Sequence, residues 1–456
     1  MSISVLTKGM SCLFFCFCVC CMNAQVRNTD PVRHLRIDAC IEYRVKAQDV
    51  DHLVEPFRHK EETLRWQSEF WGKWIQGAIA SYRYDKDPEL YKIIKNGAES
   101  LMETQLPNGY IGNYSEEAQL KALDAACRVI DHLMTQVGPG KVNIVTTGNY
   151  IGMPSSSVLE PVMYLYNRTR QDKYLDFAKY IVKQWETPEG PRLISKAIAD
   201  IPVAGRFPHP KVWFSPENGQ KAYEMMSCYE GLLELYKVTK NPLYLSVVEK
   251  TMNHIINEEI NVAGSGSAFE CWYGGKALQT YPTYHTMETC VTFTWMQICD
   301  RMLGLTGNSL YADQIEKAMY NALLASLKAD ASQIAKYSPL EGWRHEGEEQ
   351  CGMHINCCNA NGPRAFAMIP QFAYQINGRR IDVNLYAASS VEVELDKKTR
   401  VSMTQETNYP IDGQVRIVVE PEKTSDFTIA LRIPAWSERT VVSVNGEPLT
   451  DLLAGA

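Results

Sequence analysis

The stretch that decides the fold is LYKVTKNPLY at residues 235–244, an apolar helical segment that runs through a polar turn into a second helix. Asn241 can cap the free N–H groups of that second helix, and Pro242 suits its first turn because no N–H donor is needed there. Apolar residues then recur at helical spacing from Tyr244 to Ile255. The stretch therefore predicts a helical hairpin with one apolar face.

The same hairpin pattern occurs four times along the chain. Its second helices carry Tyr91, Tyr174, Tyr244 and Tyr311 near their starts. Helical pairs that each expose an apolar face must stack on one another. Stacked in a line they form a solenoid, and closed in a ring they form an α/α toroid with a central pit. The period alone does not separate these two arrangements.

The pattern changes near residue 380, where apolar residues begin to alternate with polar ones. The alternating runs cover 381–385, 391–395, 415–419, 427–433 and 441–444. Runs of period two separated by Pro, Gly and Asn are typical of an antiparallel β-sandwich. We count about six strands, which leaves an open sheet edge. We therefore expect an incomplete sandwich and a chain that is a shortened version of a longer protein.

Composition restricts the class of protein. The chain has 456 residues, of which 45% are hydrophobic and 22% are charged, as in soluble globular proteins of more than one domain. The net charge of −7 argues against a nucleic-acid binder with a basic face. We expect no nucleic-acid partner.

The first 24 residues have the features of a secretory signal. Lys8 precedes an apolar run over residues 12–22, which is too short to span a membrane and ends close to Ala24. We expect cleavage after Ala24, export to the periplasm or the exterior, and no later membrane span. Nine cysteines then remain, and this odd number argues against a simple disulfide framework.

Two short segments concentrate the chemistry: HTMETC at residues 285–290 and INCCNANGPR at residues 355–364. Glu288 and Cys290 share a side only in extended chain, so we expect them in a loop before a helix that begins near residue 291. The adjacent cysteines that follow can both reach one ion only in a turn. Three thiolates and a carboxylate suit zinc. Buried cysteines without a metal, or a disulfide between the adjacent pair, remain open alternatives.

These segments resemble glycoside hydrolase family 127, the β-L-arabinofuranosidase family. The double cysteine followed by Asn361 and Arg364 is the most specific part of the resemblance. Other matching stretches are VKAQDVD at 45–51, FWGKW at 70–74, NGYIG at 108–112, QETNYP at 405–410 and LRIPAW at 431–436.

The resemblance implies an (α/α)6 barrel as the catalytic domain over residues 25–378 and a partial β-sandwich over residues 379–456. It also implies roles for single residues in the site. Cys357 would be the nucleophile, Glu270 the acid/base residue and Tyr337 a substrate contact. The implied zinc ligands are Glu288, Cys290, Cys357 and Cys358.

The expected function is that of an exported, retaining glycoside hydrolase. It would remove terminal β-L-arabinofuranose, or a related sugar, from plant cell-wall oligosaccharides. The family's sugar-contacting histidines are not evident at residues 155–160 and 225–230, which leaves the identity of the sugar open. Two alternatives are a non-catalytic carbohydrate-binding protein with structural zinc and an α/α-barrel polysaccharide lyase, which would use Tyr or His to abstract a proton.

Overall fold

Of the residues that the structure describes, those from Ile37 to Ala373 are mainly helical, and eight of the ten strands follow from Tyr374 onwards. This order confirms the prediction of a mainly helical body followed by a β-sheet region, with strands starting five residues before position 379. The computed structural model describes residues 2–7, 24–28, 36–59, 67–105, 122–212, 215, 217–279, 281, 284–396, 399–450 and 452–455.

The α-helices of these residues are α1 (Ile37–Cys40), α2 (Val50–His59), α3 (Gln67–Asp85), α4 (Pro88–Glu103), α5 (Ala122–Gln136), α6 (Met153–Ser156), α7 (Leu159–Thr169), α8 (Asp172–Trp185), α9 (Leu193–Ile198), α10 (Ala222–Thr239), α11 (Pro242–His254), α12 (Gly275–Leu278), α13 (Thr289–Thr306), α14 (Leu310–Ala318), α15 (Leu324–Ser326) and α16 (Cys357–Ala373). Short π-helical segments adjoin α1, α11 and α14; they are Ile41–Lys46, Ile255–Glu259 and Met319–Leu323. None of the helices that the structure describes is long and apolar enough to cross a membrane.

All four predicted hairpins form, as α3–α4, α7–α8, α10–α11 and α13–α14. The turn at Asn241 has the predicted geometry: its side chain accepts a hydrogen bond from the N–H of Leu243 at 3.1 Å, and Pro242 occupies the first turn. Asp87 and Pro88 repeat this arrangement at the start of α4. The local capping chemistry therefore fixes where the second helix of each of these pairs begins.

The last long helix of the helical body, α16, packs against the first long helix, α3. Helix α7 packs against α10, α10 against α13, and α13 against α16, while α16 packs along α3. The contact between the last and first long helices is close, since a Cβ atom at Gly77 of α3 would lie 3.2 Å from backbone atoms of Arg364. Glycine at this position therefore permits the approach of the two helices.

The strands form two sheets. They are β1 (Ser2–Thr7), β2 (Ala24–Asn28), β3 (Tyr374–Asn377), β4 (Arg380–Val383), β5 (Ser389–Asp396), β6 (Thr399–Thr407), β7 (Gln414–Pro421), β8 (Thr428–Leu431), β9 (Val441–Val444) and β10 (Glu447–Pro448). The larger sheet has the order β10-β9-β1-β7-β6-β5-β2, and the smaller has the order β3-β4-β8. Strands β5, β6 and β7 are antiparallel, and β1 runs parallel to both β7 and β9. The apolar run of the predicted signal lies outside the described residues.

A buried ion network joins the helical body to the strands. Arg432, just after β8, pairs with Asp313 and with Glu316 of α14, the latter at 2.9 Å. Glu316 also accepts hydrogen bonds from the hydroxyl of Tyr409 at 2.6 Å and from the indole N–H of Trp436 at 3.1 Å. The two parts of the chain therefore share charged groups that lie away from water.

We expect Arg432→Ala to lower the free energy of unfolding by about 3–5 kcal/mol, because it leaves the buried carboxylate of Glu316 and the partly buried one of Asp313 without their cation. Arg416→Ala is the matched control: its pair with Glu406 is about half exposed and contributes less than about 1 kcal/mol. Denaturant unfolding of both variants measures the difference. Equal, small losses would contradict the structural role of the network.

Candidate active site

Two helix N-termini bring the predicted metal ligands together. Glu288 precedes α13 and Cys290 lies in its first turn, while Cys357 and Cys358 are the first two residues of α16. Helix α13 starts at Thr289, slightly earlier than expected from the sequence. The partial positive charge of a helix N-terminus favours thiolates, so the positions suit anionic sulfur.

The adjacent cysteines lie in a helix, and the prediction of a turn at this point was wrong. A capping box accounts for the helix. The side chain of Asn356 accepts hydrogen bonds from the N–H groups of Cys358 and Asn359, at 3.1 and 3.3 Å, and the Asn359 side chain accepts from the N–H of Asn356 at 2.9 Å. These bonds satisfy N–H groups that would otherwise have no partner at the start of a helix.

The four ligand atoms have the spacing of a tetrahedral site. The Sγ atom of Cys358 is 3.3 Å from that of Cys290 and 3.9 Å from that of Cys357. The Oε1 atom of Glu288 lies 3.5 Å from the Sγ atom of Cys357 and 3.6 Å from that of Cys358. Tetrahedral zinc at its usual bond lengths separates two sulfurs by about 3.8 Å and a sulfur from an oxygen by about 3.5 Å. The donor set and its spacing therefore fit zinc.

Cys290, Cys357 and Cys358 are not joined by disulfide bonds. The distance of 3.9 Å between Cys357 and Cys358 excludes the disulfide alternative for this structure. Among the residues described, these two cysteines with Cys290 and Glu288 form a cluster in which every donor atom lies within 4.8 Å of the others.

Burial makes this cluster depend on a cation. Glu288, Cys290 and Cys358 are buried, whereas Cys357 is only half-buried. Burial raises the pKa of Glu288 well above its ordinary value, and Glu270 and Cys357 nearby raise it further. A divalent ion would reverse this penalty by supplying positive charge at the centre. Cys357 is thus the least buried of the four ligands.

Glu270 lies on a loop with unusual backbone geometry. Ser267, Phe269 and Glu270 have φ angles of 73°, 49° and 68°, in the left-handed region that residues other than glycine rarely adopt. The neighbouring backbone holds the loop in place: the N–H of Ala222 donates to the carbonyl of Glu270 at 2.8 Å, and that of Trp272 donates to the carbonyl of residue 220 at 2.9 Å. Such strain is found at functional sites, where the surroundings maintain it.

Two lysines bind the carboxylate of Glu270. Lys221 contacts one oxygen, and Lys336 contacts the other at 2.8 Å. The hydroxyl of Tyr337 donates to the second oxygen at 3.3 Å. Burial alone would raise the pKa of Glu270, but Lys221 and then Lys336 outweigh it and lower the pKa to about 2. The group is therefore a carboxylate, the form that acts as a base.

Residues 336 and 337 lie between Glu270 and the thiol cluster. Tyr337 pairs with Glu288 as an isolated β-bridge, and the carbonyl of Lys336 accepts a hydrogen bond from the N–H of Thr289 at 2.9 Å. The structure thus brings all six predicted site residues into one region, although they come from four separate segments of the chain.

The sequence reasoning missed three buried lysines. Lys221 and Lys336 hold Glu270, and Lys73 of α3 forms an ion pair with Glu69 at 2.6 Å. Burial raises the pKa of Cys290. Hydrogen bonds from Cys357 and Cys358, and then the charge of Lys73, outweigh burial and lower this pKa to about 5. Lys73 lies within the FWGKW stretch that matches the family, and this match could have drawn attention to it. Composition alone does not reveal which lysines are buried.

Two parts of the chain match domain models of one enzyme family. Residues 113–371 match the catalytic domain of the GH127 β-L-arabinofuranosidase family, and residues 380–455 match its middle domain. A non-reducing end β-L-arabinofuranosidase of Bifidobacterium longum subsp. longum is 21% identical, over 82% of this chain and 66% of its own length. The chain thus spans just under two thirds of that relative.

Two solved structures show the same fold. A GH127 β-L-arabinofuranosidase of Geobacillus stearothermophilus T6 matches with a TM-score of 0.70 and 22% identity, over 94% of this chain and 78% of its own. A GH127 β-arabinofuranosidase matches with a TM-score of 0.71 and 21% identity, over 94% and 76%. Because the catalytic-domain match alone covers more than half of the sequence, the chain belongs to the GH127 β-L-arabinofuranosidase family of glycoside hydrolases.

Proposed function

We propose that this protein is a retaining glycoside hydrolase that removes a terminal β-L-arabinofuranose, or a related sugar, from plant cell-wall oligosaccharides, with Cys357 as its nucleophile. The observation that carries the proposal is the accessibility of one thiol in an otherwise buried ligand cluster. Family membership favours hydrolysis over the lyase alternative. An accessible, activated nucleophile is also more than a carbohydrate-binding protein with structural zinc requires.

The residues Glu288, Cys290, Cys357 and Cys358 would hold the zinc ion, which on binding keeps the thiols deprotonated at neutral pH. The hydrogen bond with Cys290 and burial raise the pKa of Cys357 to about 12 although Lys73 lowers it, so the thiolate form would depend on the bound ion. With the ion bound, Cys357 would be ready to react before substrate binds.

The reaction would proceed in two displacements. The Sγ atom of Cys357 attacks the anomeric carbon, the glycosidic C–O bond breaks, and the departing oxygen receives a proton from Glu270. Water then attacks the same carbon, Glu270 accepts a proton from it, and the C–S bond breaks to release the sugar. Two inversions at one carbon retain its configuration.

The resting structure favours the second of these steps. Glu270 as a carboxylate is the base that the attack of water needs. To protonate the leaving oxygen, the carboxyl group must first carry a proton, and separation from Lys221 or Lys336 would raise its pKa toward that range. We propose that binding of substrate between these groups produces the separation.

We also propose that the helical body closes into an (α/α)6 barrel and that the strands form the sandwich of the family. The packing of α16 along α3 supports the ring. For localisation we propose export directed by residues 1–24, with the mature catalytic domain beginning at residue 25. Cleavage after Ala24 would remove β1, so N-terminal sequencing of the secreted protein tests the boundary.

The test of the proposed activity is incubation with an aryl β-L-arabinofuranoside followed by NMR of the freshly released sugar. The proposal expects L-arabinose with the β configuration as the first product. Release of the α anomer first would contradict retention. Binding without release would favour a carbohydrate-binding protein, and an unsaturated product that absorbs ultraviolet light would favour a lyase.

The two lysines provide a prediction about pH. Lys221→Met removes one of the cations that lower the pKa of Glu270, so that pKa should rise by about one unit or more. A base is lost as pH falls through its pKa, and a higher pKa therefore moves the acidic limb of kcat to higher pH when the second displacement, in which Glu270 is the base, limits kcat. Rate profiles of wild type, Lys221→Met and the exposed control Lys95→Met measure the shift. Coincident acidic limbs would contradict the assignment of Glu270.

A further inference from the structure

A series of aromatic rings leads from the site to the surface. Tyr337, which contacts Glu270, is 2% exposed, and its ring lies 4.9 Å from that of His285. His285 stacks on His345 at 5.9 Å, and His345 meets Tyr284 edge-on at 6.2 Å. The two histidines are half-buried, and Tyr284 is 65% exposed. Exposure therefore increases along the series away from the reacting groups.

Trp343 is a second exposed aromatic residue, two positions before His345 in the sequence. Its side chain is 86% exposed, the largest exposed fraction among the large hydrophobic residues of the described chain. Trp343 is two residues from His345, so in extended chain the two side chains lie on one side. Arg344 between them points elsewhere, since its guanidinium donates to the carbonyls of Ala325 and Leu327 at 2.9 and 2.7 Å.

The backbone of this segment is fixed to the site. His345 exchanges hydrogen bonds with Tyr337, which places Trp343 at a set position relative to the residue that contacts Glu270. The same segment continues through Lys336 to the thiol cluster. The backbone hydrogen bonds between His345 and Tyr337 therefore connect the segment that carries Trp343 to the catalytic region.

Exposed aromatic rings at such a position point to a ligand. A fully exposed indole gains nothing from folding, and clustered exposed aromatics mark binding surfaces. The C–H faces of sugars are apolar and pack on flat rings, while their hydroxyls stay in water. The ring contacts run from Tyr337 through His285 and His345 to Tyr284, so Tyr284 is the outermost ring of the series that begins at the Glu270 contact.

We propose that Tyr284 and Trp343 form a binding platform for the sugar residue on the leaving-group side of the scissile bond. The preferred substrate is then an oligosaccharide, recognised by at least two of its sugar rings. A glycoside with a small leaving group lacks the second ring and forgoes this contact. The inference rests on the proposed function, because it takes the sugar bound at Cys357 as its reference point.

The experiment compares two substrates: methyl β-L-arabinofuranoside and a disaccharide in which β-L-arabinofuranose is linked to a second sugar. The variants are Trp343→Ala and Tyr284→Ala, with Tyr91→Ala as control, since Tyr91 on α4 is exposed to a similar degree. We expect each platform variant to lower the ratio of kcat/KM for the disaccharide to that for the methyl glycoside by about tenfold. The control should leave the ratio unchanged.

An unchanged ratio in both platform variants would overturn the inference, and so would equal losses on the two substrates, which indicate a structural role. If wild type hydrolyses neither substrate, the proposed function fails, and a binding measurement then tests the platform by itself. Calorimetry with Cys357→Ala would then compare disaccharide affinity with and without Trp343→Ala. Weaker binding by about tenfold supports the platform, and equal affinity removes it.

Discussion

Cys357→Ala is expected to lower kcat/KM on β-L-arabinofuranosides by at least about a thousandfold, because it removes the atom that attacks the anomeric carbon. The fold should persist with lower stability, since the cap at Asn356 remains but one of the four metal ligands is lost. Initial rates and circular dichroism of the purified variant measure both effects.

The control for this variant is Cys127→Ala. Cys127 is another half-buried free thiol, on α5, and it is not part of the ligand cluster. Its replacement should leave kcat/KM within about twofold of wild type, as expected for a thiol without a catalytic role. Near-normal rates in Cys357→Ala would show that another group is the nucleophile.

Removal of the metal is expected to destabilise the protein. With free zinc about a thousandfold above its dissociation constant, binding contributes about 4 kcal/mol to stability. Chelation, or replacement of the ligand Cys290 by alanine, forfeits this contribution and brings buried acidic groups together without a cation. Thermal unfolding with and without zinc, together with elemental analysis, measures the effect.

Cys299→Ala separates loss of zinc from loss of packing. Cys299 is buried on α13, the same helix as Cys290, but it lies outside the cluster. This variant should retain one zinc per chain, whereas Cys290→Ala should lose it. Zinc affinity should also fall as pH falls, because protons compete for the thiolates. Unfolding of wild type that does not respond to zinc would contradict the site.

The helical hairpins could be predicted from sequence because their signals are local. A cap such as Asn241 followed by Pro242, and apolar residues at helical spacing, act within a few residues of the chain. Five of the strands after residue 379, namely β4, β5, β7, β8 and β9, were also predicted from alternation, which depends only on which side chains face the interior, whereas β3 and β6 were not among the predicted runs. These features do not require knowledge of distant contacts.

The prediction was least successful where distant or competing interactions decide the structure. The capping box of Asn356 and Asn359 makes a helix of a segment that turn-forming residues had suggested was a turn. The ammonium group of Lys221 reaches Glu270 across 49 residues of sequence, and no local pattern indicates this contact. The candidate metal ligands were identified from their residue types and from the resemblance of the double cysteine to a known family, since the regular zinc spacing C-x-x-C is absent.

The central claim is that a sulfur atom forms the bond to the sugar. A β-L-arabinofuranose derivative with an electrophilic group at the anomeric position should inactivate the enzyme by attaching to the nucleophile. Digestion and mass spectrometry then locate the added mass. We predict that it lies on Cys357 and disappears in Cys357→Ala. Attachment to Glu270, with Cys357 unmodified, would contradict the account.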